Sequence, residues 1–444
     1  MVLLQLSLSS DGAACADKLD DCSRWQGKGP SGGGCERHPE YMRTMCAQTC
    51  GFCSSESPES VRLKTQRISL AGLDVHMIAS RGIRCWHFFE LPIGGDQASC
   101  LAEDQCTAVA GAEKATPTAP QRRTHVAAAH YYDSRSHSLN SSIFRWDPQS
   151  ACFLEHQKLP TVGAWDLAAF SIGNTWYLAV ASFFNGHSRE LNSTVYRWDA
   201  HADGFVKHQD LPTVGAMDVE FFASATASFL VFTGNHDGSR GAKAPCIIFC
   251  WNGQSFSEFQ VLETTGGYDA EAFEADDGGL VLVVVHEQRA DVYRMAAATL
   301  TADFAGFHLI QSLEVPHGRD AEHFQLNGRH YVGIAVFRTD VTYEAESLVY
   351  IWDSATARLQ LAHGLSGGKG TFDIEKLQLE TEVRLLVGNQ REGISRVYQH
   401  DVNATGDSPW VECGILSTPR VYDNAWHHVR EANSHFLGVA KFGD

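Results

Sequence analysis

The chain has 444 residues and a formal net charge of −18, from 35 Lys plus Arg against 53 Asp plus Glu. That length supports one large core or several small ones, and the acidic balance repels phosphate backbones and anionic lipid, which excludes nucleic acid and membrane surfaces as natural partners. No apolar run approaches the roughly 20 residues that cross a bilayer, so no transmembrane segment is expected.

In chain order, residues 1–14 hold a short apolar stretch without a basic start and read as a weak or truncated signal segment. Six of the thirteen cysteines then crowd into residues 15–53, at Cys15, Cys22, Cys35, Cys46, Cys50 and Cys53. Such density in a short Gly-rich stretch points to disulfides standing in for a core too small to hold itself, and hence to an oxidising, extracellular setting. The sequons at Asn140, Asn192 and Asn403 fit the same secretory route. SSESPES at 54–60 opens a polar linker that runs to residue 72.

From residue 73 the chain repeats itself. LPTVGAWDLAAF at 159–170 returns as LPTVGAMDVEFF at 211–222, and weaker copies follow as GGYDAEAF, GRDAEHF and GTFDIEKL. The aspartates fall at 166, 218, 269, 320 and 373, a period of 51 to 53. Each unit holds four short segments rich in Val, Ile, Tyr and Phe between Gly, Asn, Asp and Ser turns, with no helical pattern. Four strands at this period predict a β-propeller, because one blade cannot bury both faces of its sheet alone and neighbours around an axis can.

Residues 127–147 align with 179–199 as the second and third strands of an earlier blade, and FLGVAKF at 436–442 matches YLAVASF at 177–183, two strands short of a unit. Superposing the LP pairs lays residues 73–92 on the third and fourth strands of a blade. This predicts an all-β, seven-bladed propeller over 73–444, closed when the tail docks beside residues 73–92. An insertion at about 93–109 contains Cys100 and Cys106, which are placed for a local bridge. Of the remaining thiols, Cys85, Cys152, Cys246, Cys250 and Cys413 have no partner legible from spacing; seven cysteines outside 15–53 is an odd number, so at least one is free or pairs with another chain.

The phrase F…Q-x-LPT, then GA-x-D-x-x-x-F, an apolar run and VYRWD, resembles the EAR (EPTP, epitempin) repeat, the propeller of leucine-rich glioma-inactivated and related secreted proteins. The resemblance covers about residues 73–444. It implies a non-catalytic extracellular module that binds an extracellular protein or receptor ectodomain, with metal in the central channel. In the same way CADKLDDC, GGGC, YMRTMC and AQTCGFC resemble the ShKT domain. Cysteine spacing alone allows fifteen connectivities; the resemblance implies Cys15–Cys53, Cys22–Cys46 and Cys35–Cys50. Where channel-blocking members carry a Lys-Tyr pair, this chain has Glu40 and Tyr41, and a carboxylate cannot mimic a permeating cation.

The recurring Asp166, Asp218, Asp269, Asp320 and Asp373 open the innermost strands, and symmetry places them in an arc around the channel. Glu220, Glu271, Glu322 and Glu375 follow two residues on. Two roles suit them: accepting backbone N–H bonds that lock one blade to the next, or holding a hard cation such as Ca²⁺. The same alignment puts Lys114 and Ala425 at the two remaining ring positions, with Asp96 and Asp423 nearby. Tyr196, Trp198, Tyr350 and Trp352 alternate with polar residues and are expected between blades. GLSGG at 364–368 matches a nucleophile elbow but lacks the following helix, and HGRDAEH at 317–323 is explained by blade register rather than zinc. No catalytic residue is assigned. The function read here is a secreted recognition module; its rivals are a metal-dependent enzyme using the channel and a toxin or inhibitor activity of residues 15–53.

Overall fold

A computed structural model describes residues 62–81, 83–92, 122–236, 244–296, 306–366, 368–401 and 409–441. All regular structure among them is β, in seven four-stranded sheets. The N-terminal strands are β1 (Gln66–Leu70) and β2 (Leu73–Arg81). Blade 1 is β3 (Ile83–Pro92), β4 (Arg122–His130), β5 (Ser138–Asp147) and β6 (Cys152–Val162). Blade 2 is β7 (Ala164–Ile172), β8 (Thr175–Ser182), β9 (Glu190–Asp199) and β10 (Gly204–Val214). Blade 3 is β11 (Ala216–Ala223), β12 (Ser228–Gly234), β13 (Cys246–Trp251) and β14 (Phe256–Leu262). Blade 4 is β15 (Gly267–Glu274), β16 (Leu280–His286), β17 (Arg289–Met295) and β18 (His308–Glu314). Blade 5 is β19 (Gly318–Leu326), β20 (Arg329–Val336), β21 (Ser347–Asp353) and β22 (Arg358–Leu365). Blade 6 is β23 (Thr371–Gln378), β24 (Val383–Asn389), β25 (Ile394–His400) and β26 (Trp410–Ser417). Blade 7 is β27 (Val421–Val429) and β28 (Ser434–Lys441), completed by β2 and β1 in the order β1-β2-β28-β27.

The seven-bladed propeller expected from the repeat is thus the fold, and the tail does dock beside the N-terminal strands. The wiring of that closure differs from the expectation. Residues 73–92 are not the outer two strands of blade 7. β2 is its third strand, β1 (placed in the linker by sequence) is its fourth, and β3 is the innermost strand of blade 1. The hairpin therefore enters outermost strand first, and β2 runs parallel to β28 where every other neighbouring pair is antiparallel. The reason is connectivity: β3 has to lie at the axis, so the strand just before it must be the inner member of the hairpin. A backbone bond from Leu63 N to Phe153 O, 3.0 Å, straps this segment to the outer strand of blade 1.

The apolar core is divided among the blade interfaces. One cluster joins Phe89 and Leu91 of blade 1 to Leu167, Leu178 and Phe205 of blade 2, and equivalents recur at the other six seams. The Phe four residues after each ring position (Phe170, Phe222, Phe273, Phe324) is buried there, each worth about 2–3 kcal/mol of transfer free energy. The Gln of F…Q-x-LP explains itself at the rim. Gln157, Gln209, Gln260 and Gln311 each donate to and accept from one backbone position of the next blade, at Phe205, Phe256, Phe307 and Leu359. The Thr of LPT serves its own blade: Thr161 and Thr213 share hydrogen bonds with Ser141 and Ser193. The Gly of GA-x-D has a steric cause. At Gly163 φ is +54°, and a Cβ would lie 1.9 Å from the Phe184 carbonyl oxygen.

Candidate functional site: the central channel and its mouth

Six innermost strands carry a bulge just before the ring residue, which turns that side chain toward the next blade, and β3 shifts register between Ile83 and Trp86, around Cys85. The carboxylates of Asp166, Asp218, Asp269 and Asp320 accept the backbone N–H of Val219, Ala270, Ala321 and Ile374 at 2.8–3.0 Å. Asp373 accepts from Asn424 N at 3.2 Å and Asn424 Nδ2 at 2.5 Å, and Asp423 accepts from Trp86 N at 3.0 Å. The seventh seam brings Cys85 of blade 1 against Asp166 of blade 2, and burial first, then the carboxylates of Asp166 and Asp423, push its thiol well upward. The ring is therefore six aspartates and one cysteine. Of the two positions expected from alignment, Asp423 replaces Ala425, a two-residue offset. Cys85 replaces Lys114, which lies outside the described residues.

Asp166, Asp218, Asp269, Asp320 and Asp373, with Cys85 and Asp423, line a cavity of about 70 Å³, room for a few waters or an ion. Burial is the largest cause pushing Asp218, Asp269, Asp320 and Asp423 well above the ordinary carboxylate range, and neighbouring carboxylates add to it. Asp373 is pushed up to about 7 by burial, with the Asn424 bonds pulling the other way. The glutamate layer behaves alike: burial pushes Glu220 up to about 8, and Glu271 and Glu375 well upward. Glu375 also accepts from Trp426 N at 2.9 Å. Lys376 is the cation among them, its Nζ 2.6 Å from Glu322 Oε1 and 3.0 Å from the His323 carbonyl. Burial works against its charge, but the carboxylates of Glu322 and Glu271 outweigh it and raise the lysine. Among the described residues no group of three or more His, Cys, Asp or Glu side chains is placed so that it could hold a metal ion.

One residue before each ring position, Arg84, Trp165, Met217, Tyr268, Arg319, Phe372 and Tyr422 form the mouth of the channel. Sequence reasoning missed this layer, although the x of GA-x-D marks it. The arginines are clamped by rings: Arg84 lies 4.1 Å over Tyr422, 4.4 Å over Trp165 and 4.8 Å over Tyr131. Arg319 lies 4.0 Å over Tyr268 and 5.0 Å over Phe337. Arg189, from the loop after β8, stacks on Phe183 and Phe184 at 4.1 and 4.8 Å. Each stack fixes both members at little further entropic cost. The VYRWD aromatics pack between blades, as expected: Tyr196 is buried in the blade 1–blade 2 cluster with Trp198 against it, and Tyr350 and Trp352 are buried in the blade 4–blade 5 cluster.

Asn140 and Asn192 are exposed, near the starts of β5 and β9. Asn403, Cys100, Cys106 and the six cysteines of 15–53 lie outside the described residues. Cys85, Cys152, Cys246, Cys250 and Cys413 are free thiols.

The fold and its channel define a seven-bladed propeller whose blades are locked by acidic side chains at the axis and amides at the rim. The EPTP domain model matches residues 153–199 and 204–252, and a ShK domain-like model matches residues 14–53; the chain carries both kinds of unit. It is 27% identical over 213 residues to the thrombospondin-type laminin G domain and EAR repeat-containing protein of Mus musculus, across 35% of this chain and 32% of that protein. It is 26% identical to leucine-rich repeat LGI family member 3 of Macaca fascicularis, across 48% of this chain and 35% of that protein. The matches thus span about a third of the length of these curated relatives. The periplasmic gluconolactonase of Pseudomonas aeruginosa superposes with a TM-score of 0.48 at 14% identity, over 67% of this chain and 83% of that one.

Proposed function

We propose that this chain is a secreted or cell-surface recognition protein, not an enzyme, and that the channel mouth is the face it presents to an extracellular protein or receptor ectodomain. The observation that carries this reading is the pair of mouth arginines, Arg84 pre-stacked on Tyr131, Trp165 and Tyr422, and Arg319 on Tyr268 and Phe337. Trp, Tyr and Arg are the residue types that concentrate binding energy, and here they are rigid before a partner arrives. The proposal includes glycans on the exposed Asn140 and Asn192 and on Asn403. It also includes the disulfides Cys15–Cys53, Cys22–Cys46, Cys35–Cys50 and Cys100–Cys106, all checked by mass spectrometry of the secreted chain. Fluorescently labelled full chain should bind cultured cells saturably, and protease treatment of the cells should abolish this. Trp165→Ala and Arg319→Ala should weaken it at least tenfold with melting unchanged; undiminished binding by both overturns the assignment of the face.

A hard cation such as Ca²⁺ among Asp166, Asp218, Asp269, Asp320 and Asp373 is a separate proposal, supported by the crowding of six aspartates and four glutamates around one lysine. It requires these side chains to turn from the backbone N–H groups they now hold. Calcium added to chelator-treated protein at neutral pH should raise the melting temperature by several degrees, and Asp218→Asn should reduce the rise. No shift would sink it.

A further inference from the structure

In blades 2 to 7 the third residue before the ring position adopts a left-handed backbone. In blades 2, 3, 4 and 6 it is glycine: Gly163, Gly215, Gly266 and Gly370, with φ of 54°, 55°, 91° and 65°. In blade 5 it is His317, at 46°. A side chain held in that conformation is strained, and strain of this kind survives where the surroundings over-determine it. Arg420 in blade 7 shares the geometry (φ 57°) but is exposed, whereas His317 is only 3% exposed.

What surrounds His317 comes from two different connections. Its Nδ1 lies 3.0 Å from Glu287 Oε1, in the turn between β16 and β17 of blade 4. Its Nε2 lies 3.4 Å from Asp340 Oδ1, in the β20–β21 loop of blade 5, and 3.4 Å from Gln288 Nε2. An ionised carboxylate can only accept, so serving both carboxylates takes an N–H on each ring nitrogen, which only the imidazolium has; a neutral ring donates to Glu287 alone and at Nε2 accepts from the Gln288 amide instead of holding Asp340. The other charged groups on this side are Arg319 on β19 and Arg338 at the loop's start, both within electrostatic reach of each other and Arg319 of Glu287. His286, Arg289 and Asp291 of blade 4 pair among themselves.

The loop so held carries Val341, 92% exposed, and Tyr343, whose ring packs edge-on against Phe337, itself in contact with the mouth residues Arg319 and Phe372. Its far end is tied to blade 6, through Gly370 N to Tyr343 O at 2.9 Å and Lys369 to Glu344 at 2.5 Å. Asp340 ties its tip back toward blade 4.

We propose that His317 is a proton-operated clasp: doubly protonated, it pins the tip of loop 338–346 between blades 4 and 5, and on losing a proton it releases Asp340 and frees the Val341 tip beside the channel mouth. The clasp would regulate the recognition face, and to that extent it rests on the function proposed above. It is tested on the full chain, without partner, by NMR of ¹³C-labelled histidine rings and valine methyls from pH 5 to 8.5, with Val341→Ala to assign its methyl. The His317 ring and the Val341 methyl should move with one common midpoint. His317→Gln should leave the Val341 methyl independent of pH. His317→Gly, which restores the repeat's own residue and relieves the backbone, should melt no lower than the parent yet hold Val341 in its high-pH position throughout. A Val341 methyl that ignores pH in the parent, or that keeps its low-pH position in His317→Gly, overturns the clasp. Since no readout involves a partner, failure of cell binding would leave this result standing.

Discussion

Replacing Gln209 with alanine cuts two hydrogen bonds at one blade seam, Nε2 to Phe256 O at 2.7 Å and Phe256 N to Oε1 at 2.9 Å. Both backbone groups are part-buried and lose their protein partners. An orphaned buried group costs about 1–3 kcal/mol, so the pair should cost about 2–4 kcal/mol here. With an unfolding entropy of about 2.1 cal/mol/K per residue over roughly 380 residues, a loss of about 3 kcal/mol lowers the melting temperature by about 4 °C. Gln209→Glu sharpens the test. The carboxylate still accepts from Phe256 N, but its second oxygen now faces the Phe256 carbonyl and cannot donate. The deficit should be present at pH 7 and shrink below about pH 4, where the protonated acid supplies a hydrogen. Gln157 and Gln260 act at other seams, so their alanine variants should add to Gln209→Ala within about 0.5 kcal/mol. The assay is denaturant and thermal unfolding at pH 7 and pH 3.5. A loss below about 0.5 kcal/mol for Gln209→Ala, or a Glu deficit indifferent to pH, would refute the account of the rim.

Other perturbations act at the axis. Asp373 and Glu220 have folded pKa values raised to about 7 and about 8, so the native state keeps protons that the unfolded chain has released. Their stabilising contribution is fully present below about pH 4 and lost as pH rises through 7–8; melting of chelator-treated protein should fall from pH 6 to pH 9, and a rise would contradict the burial argument. Asp373→Asn should flatten that profile and stabilise at pH 8, because the unpartnered Oδ1 of Asn424 can accept from the new amide once Asn424 turns over. Cys85→Asp adds a seventh carboxylate to the ring and should destabilise more at pH 8 than at pH 5.5, whereas Cys85→Ser should show no such pH dependence. Gly163→Ala, with its Cβ against Phe184 O, should cost about 3 kcal/mol or prevent folding; Gly173→Ala, at φ 58° with nothing within 4 Å, should cost only about 1 kcal/mol.

The phrase G-A-x-D-x-x-x-F was legible because each letter does one mechanical task that recurs at every seam: a steric bulge, a backbone acceptor, a buried ring. The blade count followed from it. What was misread was the junction, where the LP pair at Leu91 and Pro92 imitates the end of an outer strand. The innermost strand nevertheless announces itself: Gly82-Ile83-Arg84-Cys85 with Phe89 repeats the spacing of Gly163-Ala164-Trp165-Asp166 with Phe170, and only the change of Asp to Cys hides it. Asp423 is legible only as a neighbour of the ring, with Ala425 in its place, because gapless alignment ignores a two-residue shift late in the chain. The channel mouth has no fixed letter at all, since Arg84, Met217 and Phe372 share a place in space rather than a chemistry. His317 stood in plain view within HGRDAEH, but its meaning depends on Glu287 and Asp340, which only the folded loops bring to it.

The parallel pairing of Val75 with His435 has a cost paid during synthesis. At about 5–20 residues per second, roughly 360 residues separate the appearance of these partners, a wait of about 20–70 s. Throughout it, the apolar side of an N-terminal hairpin has no sheet to join, and blade 1 stands with a bare flank. Cells that make this chain therefore have to shelter an unmatched strand for most of its translation, and mutations that weaken β28 should appear first as a low yield of folded chain.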